Sequence, residues 1–527
     1  MRRGPNRRWI AALLLLCCGV AAAAEPVLRI GNGPEPESLD PQRVSSVSAL
    51  NVVRDLYEGL TRIDADGRVL PAAAQGWEVA DGGRRYTFEL RPGLRWSNGE
   101  ALTVDDFVAG LRRLVDPRTG APFAQLLSPV VNADAIVAGH AVPERLAAWA
   151  LSPTRLQILL KAPTPYFPSL LAHPASFPLH RPSLRQYGRE FARPGRMVSN
   201  GAYALEEWIV QAQIGLVRNR HYWDDAHTQI GRVRYLPFDD VASELKRYRA
   251  GELDVTSEIP LVQAPQLRER YGNLLHVSTY LGNYFYGINM QRPPLGDSLP
   301  LRRALALAID RELIVAKVMN GLAEPAYGWV PPGVSGHEAQ SVEWAGWPMA
   351  QRLAEARHLY AEAGYSAGHP LQVELRYNTH DDHKRIATVV AAMWKQALGV
   401  QTRLINEENK VFLAKRRLRK ETQLFRAAWM GDYDDASTFL DVLASGNGRN
   451  DMGWHDTAYD ALLAQAAAEA DPARRGALLA EAERRALQAL PVIPIYWYVS
   501  KHLLSPRLRG WRDNLLDYHY SKDLSLA

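Results

Sequence analysis

Beyond residue 24 the chain has no cysteine, so about 500 residues must be held together by apolar burial alone. Single hydrophobic cores stop growing near about 250–300 residues, so a chain of this length folds as two or three domains. No disulfide or thiolate metal site is available to staple them. The only cysteines, Cys17 and Cys18, lie in a leader with a basic head (Arg2, Arg3, Arg7, Arg8), an apolar stretch from Trp9 to Val20 and small residues from Ala21 to Ala24. That order reads as a signal peptide spanning residues 1–24, and it places the mature protein in the periplasm. Leu16 and Cys17 precede the two cysteines where lipid attachment sites carry a small residue, so the leader reads as an export signal rather than a lipoprotein signal.

Charge excludes one class of partner. The formal net charge of +5 falls to +1 without the four leader arginines, 58 basic against 57 acidic residues. A near-neutral surface without a basic patch gives no footprint for nucleic acid. No apolar run after the leader is long enough to span a bilayer.

Strand, turn and helix patterns alternate over short distances. Val27–Ile30 reads as a buried strand, and Leu50, Val53, Leu56 and Leu60 keep helical spacing. Tyr86, Phe88 and Leu90 alternate as a half-buried strand, and Thr103 with Asp106 forms a variant capping box. Asp310 separates two helical segments, Gly364 ends a third, and the strand at 371–376 precedes a helix over 385–398. Ala458 to Leu490 is rich in Ala, Leu and Glu, closed by prolines before an apolar strand at 495–499. The mixture predicts α/β or α+β domains and argues against a bundle or a sandwich.

Catalytic motifs with fixed spacing are missing. Gly333-Val334-Ser335-Gly336-His337 has its glycines misplaced for a nucleophile elbow, and neither H-E-x-x-H nor a P-loop occurs. His380-Asp381-Asp382-His383 carries metal-ligand types, but contiguity sets no geometry, and a polar turn after the preceding strand is the simpler reading. Asp432, Asp434 and Asp435 sit too close together for carboxylates that face each other across a glycosidic bond. No resident metal or cofactor is expected, and no enzymatic activity.

The loop holding these acids supports a binding reading. Leu424–Trp429 predicts a strand running into Met430-Gly431-Asp432-Tyr433, and small residues at Ala427, Ala428 and Gly431 allow a ligand backbone to approach. Asp432 stands ready to pair with a cation, while an extended peptide adds to the strand edge. Equally open from the residues alone is Trp429 in the core, with Asp432 capping a helix that starts near Ala436.

Here the sequence resembles the family-5 extracellular solute-binding proteins, in particular their oligopeptide- and murein-peptide-binding members. The resemblance runs through Ser38-Leu39-Asp40-Pro41, Leu56 to Leu60, Leu90 to Gly99, Asn200-Gly201-Ala202-Tyr203, Tyr222-Trp223, Arg247 to Asp254 and Pro494 to Val499, in family order. It implies a two-lobed, three-domain fold with hinge closure: domain I from 25–57, 182–283 and 500–527, domain II from 58–181, and domain III from 284–499. It also implies a monomer that delivers short peptides to an inner-membrane ABC permease, with murein peptide or another solute as the alternative cargo. Asp432 takes the peptide's α-ammonium group beside Trp429 in this reading. Main-chain contacts come from near Val47 and from Ala427–Ala428, and Tyr498 belongs to the site. Arg426, Arg416 and His383 match positions that meet the peptide carboxylate. Members with a disulfide near this loop carry it where this chain has Gly282 and Met430, and Met319, Gly287 and Asn409 replace pocket residues of the family.

Overall fold

The computed structural model describes residues 26–527; the signal peptide lies outside the described residues. Three sheets organise the chain into two lobes. The first has strand order Val27–Gly31, Arg232–Leu236, Gln213–Arg218 and Tyr203–Ile209, with one parallel pair. The second, fully antiparallel, runs Ala74–Ala80, Arg85–Leu90, Arg155–Leu159 and Ala148–Ala150. These two sheets share one apolar core and form one lobe. The other lobe is built on a mixed six-stranded sheet ordered Glu324–Pro325, Val492–Leu503, Leu275–Ile288, Leu424–Met430, Gln372–Asn378 and Gln401–Glu407, with its own core.

Local chemistry accounts for the elements. In Arg85–Leu90 the side chains of Tyr86, Phe88 and Leu90 alternate into the core. Helix Val104–Val115 starts where the Thr103 N–H donates to the Asp106 carboxylate at 3.0 Å, and buries Phe107, Leu111 and Leu114. Asp310 caps its helix by accepting from the Leu313 N–H. Two expectations change. The helix carrying Leu50 stops at Leu56, so Leu60 is buried from the irregular segment that follows it. His380–His383 is the start of helix Asp381–Leu398 rather than a turn: the His380 ring accepts from the Asp382 N–H, and two acids occupy the first turn, where the helix dipole favours them.

The motifs shared with the family interlock inside the first lobe. Glu58 accepts from the Tyr222 hydroxyl at 2.5 Å and from the Trp223 indole at 2.6 Å, while the Asn200 side chain bonds both the N–H and the C=O of Glu58. Gly201 is pressed against the main chain of residues 55–57; a β-carbon there would lie 2.6 Å from the Asp55 carbonyl oxygen. Gly201→Ala is therefore expected to cost about 1–3 kcal/mol by overpacking, read as a lower urea midpoint at unchanged slope. An unchanged midpoint would show that the backbone yields there at no cost.

Two long antiparallel strands, Leu275–Ile288 and Val492–Leu503, belong to both lobes. Leu275, Val499 and Leu503 join a small core with Leu236, Leu245 and Tyr248, while Tyr284, Tyr286, Ile493 and Ile495 lie in the core of the six-stranded sheet. Their register slips between Thr279 and Asn283, placing an irregular backbone segment where the strands cross from one core to the other.

Candidate functional site

The Leu424–Met430 strand has one satisfied edge and one largely open edge. Along its full length it pairs with Leu275–Ile288, from Ile288 opposite Leu424 to Gly282 opposite Met430. On the other side it pairs with Gln372–Asn378 only at Leu424 and Phe425. Among the described residues no strand lies beside the outer main-chain groups from Arg426 to Met430, an unpaired edge of the kind that accepts an added strand. Ala427 is buried and Ala428 half-buried on alternate faces.

The strand leads into a cavity of about 590 Å³ between the lobes, lined by Ser128, Lys161 and Tyr166 on one side and by Trp429, Asp432 and Arg449 on the other. Tyr166 and Tyr433 stack across it, ring centres 4.7 Å apart. Asp432 and Asp441 line this wall, Asp434 and Asp435 lie close by in the same loop, and their environments separate the four. Asp435 is locked to Arg475 by two bonds of 2.7 and 2.8 Å and accepts from the Ser437 N–H. Asp434 accepts from the Ser335 hydroxyl and N–H. Burial, reinforced by the charge of Asp435, pushes the Asp441 carboxyl up to about 7. Among the described residues Asp432 has one ion pair, with Arg449 at 3.7 Å, and burial raises its carboxyl while Arg449 draws it back. Of the four, Asp432 is the one that both lines the cavity and stands just beyond the open strand edge.

Trp429 is half-buried with the Arg449 guanidinium 4.8 Å over its ring, so it is cavity wall as well as core. The helix following the loop, Ser437–Leu440, starts after Ala436, and it is Asp435, not Asp432, whose carboxylate accepts from its first N–H; Asp432 contributes its own N–H, to the Thr438 hydroxyl at 3.1 Å. Arg426 lies over Tyr284 and donates to Asn378 at 3.4 Å and to the Tyr498 hydroxyl at 3.3 Å, both neutral partners. His383 packs beside Tyr284, and burial together with the Arg426 charge pushes its imidazole down to about 3. Burial thus favours its neutral form in this state.

Other expected positions are not brought to this group. Arg416 forms a 2.6 Å ion pair with Asp451 between the rings of Phe412 and Phe425, so its charge is already spent. Val47 is exposed at the start of helix Val47–Leu56, on the other lobe. Gly431 does not make room for a ligand; a β-carbon there would strike the Leu281 side chain at 2.6 Å, and its N–H donates to the Leu281 carbonyl. Gly282 and Met430 face each other directly, and the Met430 thioether covers the glycine. Arg449, Lys161 and Tyr166 escaped the sequence reading: each lies in a polar or mixed segment with no motif, and only the meeting of the two lobes assembles them.

The model of the bacterial extracellular solute-binding proteins, family 5, matches residues 68–451. The chain belongs to this family. It is 41% identical over 530 residues to the probable deoxycholate-binding periplasmic protein YgiS of Escherichia coli, covering 98% of each chain, and 38% identical over 510 residues to the periplasmic oligopeptide-binding protein OppA of Salmonella typhimurium, covering 96% of this chain and 93% of that one. Among solved structures it superposes on the unliganded open form of the murein tripeptide binding protein MppA with a TM-score of 0.88 at 35% identity, covering 96% of this chain and 98% of that one. The Haemophilus influenzae OppA complex with RPPGFSPFR gives 0.76 at 34% identity, covering 95% and 99%. As a family-5 member the protein is a two-lobed periplasmic solute-binding protein, and among the described residues no helix is long and apolar enough to cross a membrane.

Proposed function

We propose that this protein captures short peptides with a free amino terminus between its lobes and delivers them to an inner-membrane ABC permease, without chemical change to the cargo. The observation that carries this reading is the open strand edge from Arg426 to Met430, which ends at the loosely paired Asp432. An extended peptide laid along the edge satisfies its main chain there and brings its ammonium group to the carboxylate. Domain I from 25–57, 182–283 and 500–527, domain II from 58–181 and domain III from 284–499 divide the chain near the register slip at 279–283, and closure proceeds by rotation about that crossing.

Arg426 takes the peptide carboxylate when the peptide length places it there; Arg416 does not, because Asp451 neutralises it. Amidation of a tripeptide is expected to weaken binding by about 1.5–3 kcal/mol, the worth of a hydrogen bond to a charged group. Arg426→Gln should erase that difference and Arg416→Gln should leave it intact, both read by titration calorimetry. Equal affinity for acid and amide across tri-, tetra- and pentapeptides would remove Arg426 from this role.

A second reading follows from YgiS, whose name carries deoxycholate. The Arg449 guanidinium over Trp429 suits an anionic amphiphile. Such a ligand has no ammonium group, so Asp432→Asn would leave its affinity unchanged or raise it. Parallel titrations with tripeptides, murein tripeptide and deoxycholate separate the readings; binding of deoxycholate alone would overturn the peptide proposal.

A further inference from the structure

A second cluster of ionisable groups lies apart from the cleft acids, where the C-terminal segment folds back on strand Val492–Leu503. His502, 7% exposed, has its Nδ1 2.7 Å from the Thr256 carbonyl oxygen, which obliges that nitrogen to carry a proton and turns Nε2 toward Asp517. The Asp517 Oδ1 and Oδ2 lie 3.0 and 3.1 Å from this Nε2, and the His519 Nε2 is 3.0 Å from the same Oδ1. The Trp511 ring stacks on His519 with centres 3.5 Å apart, holding the second imidazole in place. Asp517 adopts a left-handed backbone, φ 55°, in a turn closed by its N–H donating to the Asn514 carbonyl. Among the described residues these three form the one group of His, Cys, Asp or Glu whose ligand atoms all fall within 4.8 Å of one another.

We propose that His502, Asp517 and His519 bind a divalent transition-metal ion through two imidazole Nε2 atoms and one carboxylate oxygen. The donor set suits zinc, cobalt or nickel rather than magnesium or calcium, which prefer oxygen throughout. The Thr256 carbonyl does for His502 what outer-sphere acceptors do for metal-bound histidines: it fixes the tautomer and aims the free nitrogen. Metal–ligand bonds of about 2.0–2.2 Å require donors only slightly farther apart than the nitrogen–oxygen contacts of 3.0 Å seen here, with the two imidazoles closing on each other. Without an ion, one carboxylate oxygen faces two Nε2 atoms, each of which must carry a proton to bond it. His502 would then hold a full positive charge in a buried ring; a metal ion takes the place of the His502 Nε2 proton, which is released, while His519 binds as the neutral tautomer with its proton on Nδ1. The site would fasten the C-terminal segment near the crossing of the lobes, since the Leu515 carbonyl in the same segment accepts from the Leu281 N–H at 2.8 Å.

The test uses mature protein without a histidine tag, stripped with a chelator and titrated with zinc against a chelating indicator. One zinc ion per chain is expected, with binding at least about 10-fold weaker in His519→Gln and in Asp517→Asn. Zinc should also raise the melting temperature of the native protein and leave both variants unmoved. If a variant does not fold, the cobalt spectrum of the native protein decides: ligand-field bands of a low-coordinate nitrogen–oxygen site support the proposal, and a spectrum matching cobalt in buffer overturns it. Failure of native protein to bind zinc, or undiminished binding in folded variants, would likewise overturn it, the latter assigning the ion to other groups such as His380 and His383.

Discussion

Arg475→Met is expected to destabilise the protein by about 3–5 kcal/mol, the cost of leaving one member of a buried ion pair without its partner. Asp435 is 6% exposed and Arg475 9%, and their two hydrogen bonds of 2.7 and 2.8 Å fix the loop that carries Asp432. Removal of the guanidinium leaves Asp435 beside Asp441, whose carboxyl is already raised by burial and by this same neighbour. Two acids then compete for one environment, and the loop must open to water to relieve them. Arg475 also lies 5.8 Å over Tyr166 on the opposite lobe, so the same change should loosen the contact between the lobes. The double variant Asp435→Asn, Arg475→Met should recover much of the loss, because it removes the stranded charge. Denaturation in urea reads both; a loss under 1 kcal/mol in the single variant would show that the pair is already solvated.

The strands and caps were legible because their causes are local. Alternation at Tyr86, Phe88 and Leu90 and the caps at Thr103 and Asp310 appear in the structure as their spacing implies. His380 was misread because a histidine cap followed by two acids looks the same as a polar turn when the cap bond is not visible. Within Ala458–Leu490, Asp471 and Pro472 begin a second helix, a start signal obscured by the alanine-rich composition on both sides. Much of the resemblance to the family sits in residues that hold the first lobe together: Glu58 with Tyr222 and Trp223, and Asp40 with Arg113. The site was less legible. Asp451, which neutralises Arg416, lies 35 positions downstream, and the Leu281 side chain that occupies the space above Gly431 comes from another strand. Arg449 reaches Asp432 and Trp429 only through the folded loop.

The central chemical claim rests on Asp432. A peptide enclosed between lobes gives up the water around its ammonium group, and a desolvated cation without an anion is very costly. Asp435 is committed to Arg475 and Asp434 to Ser335; Asp432 and Asp441 both line the cavity with carboxyls raised by burial, and Asp432, at the end of the open strand edge, is the one placed to meet the ammonium group of a peptide laid along it. Its contact with Arg449 is long at 3.7 Å and lies beside the cavity, so an incoming ammonium group can share or displace it. Asp432→Asn keeps the size and the Thr438 contact of the main chain, so the fold should persist while peptide affinity falls by about 2–5 kcal/mol.

Titration calorimetry of a tripeptide and its N-acetylated form against the native protein and Asp432→Asn closes the cycle. Acetylation should weaken binding to the native protein strongly and cost little further in the variant, since both changes remove one interaction. Additive losses, or equal affinity of both peptides for the native protein, would contradict the assignment of Asp432 as the ammonium partner.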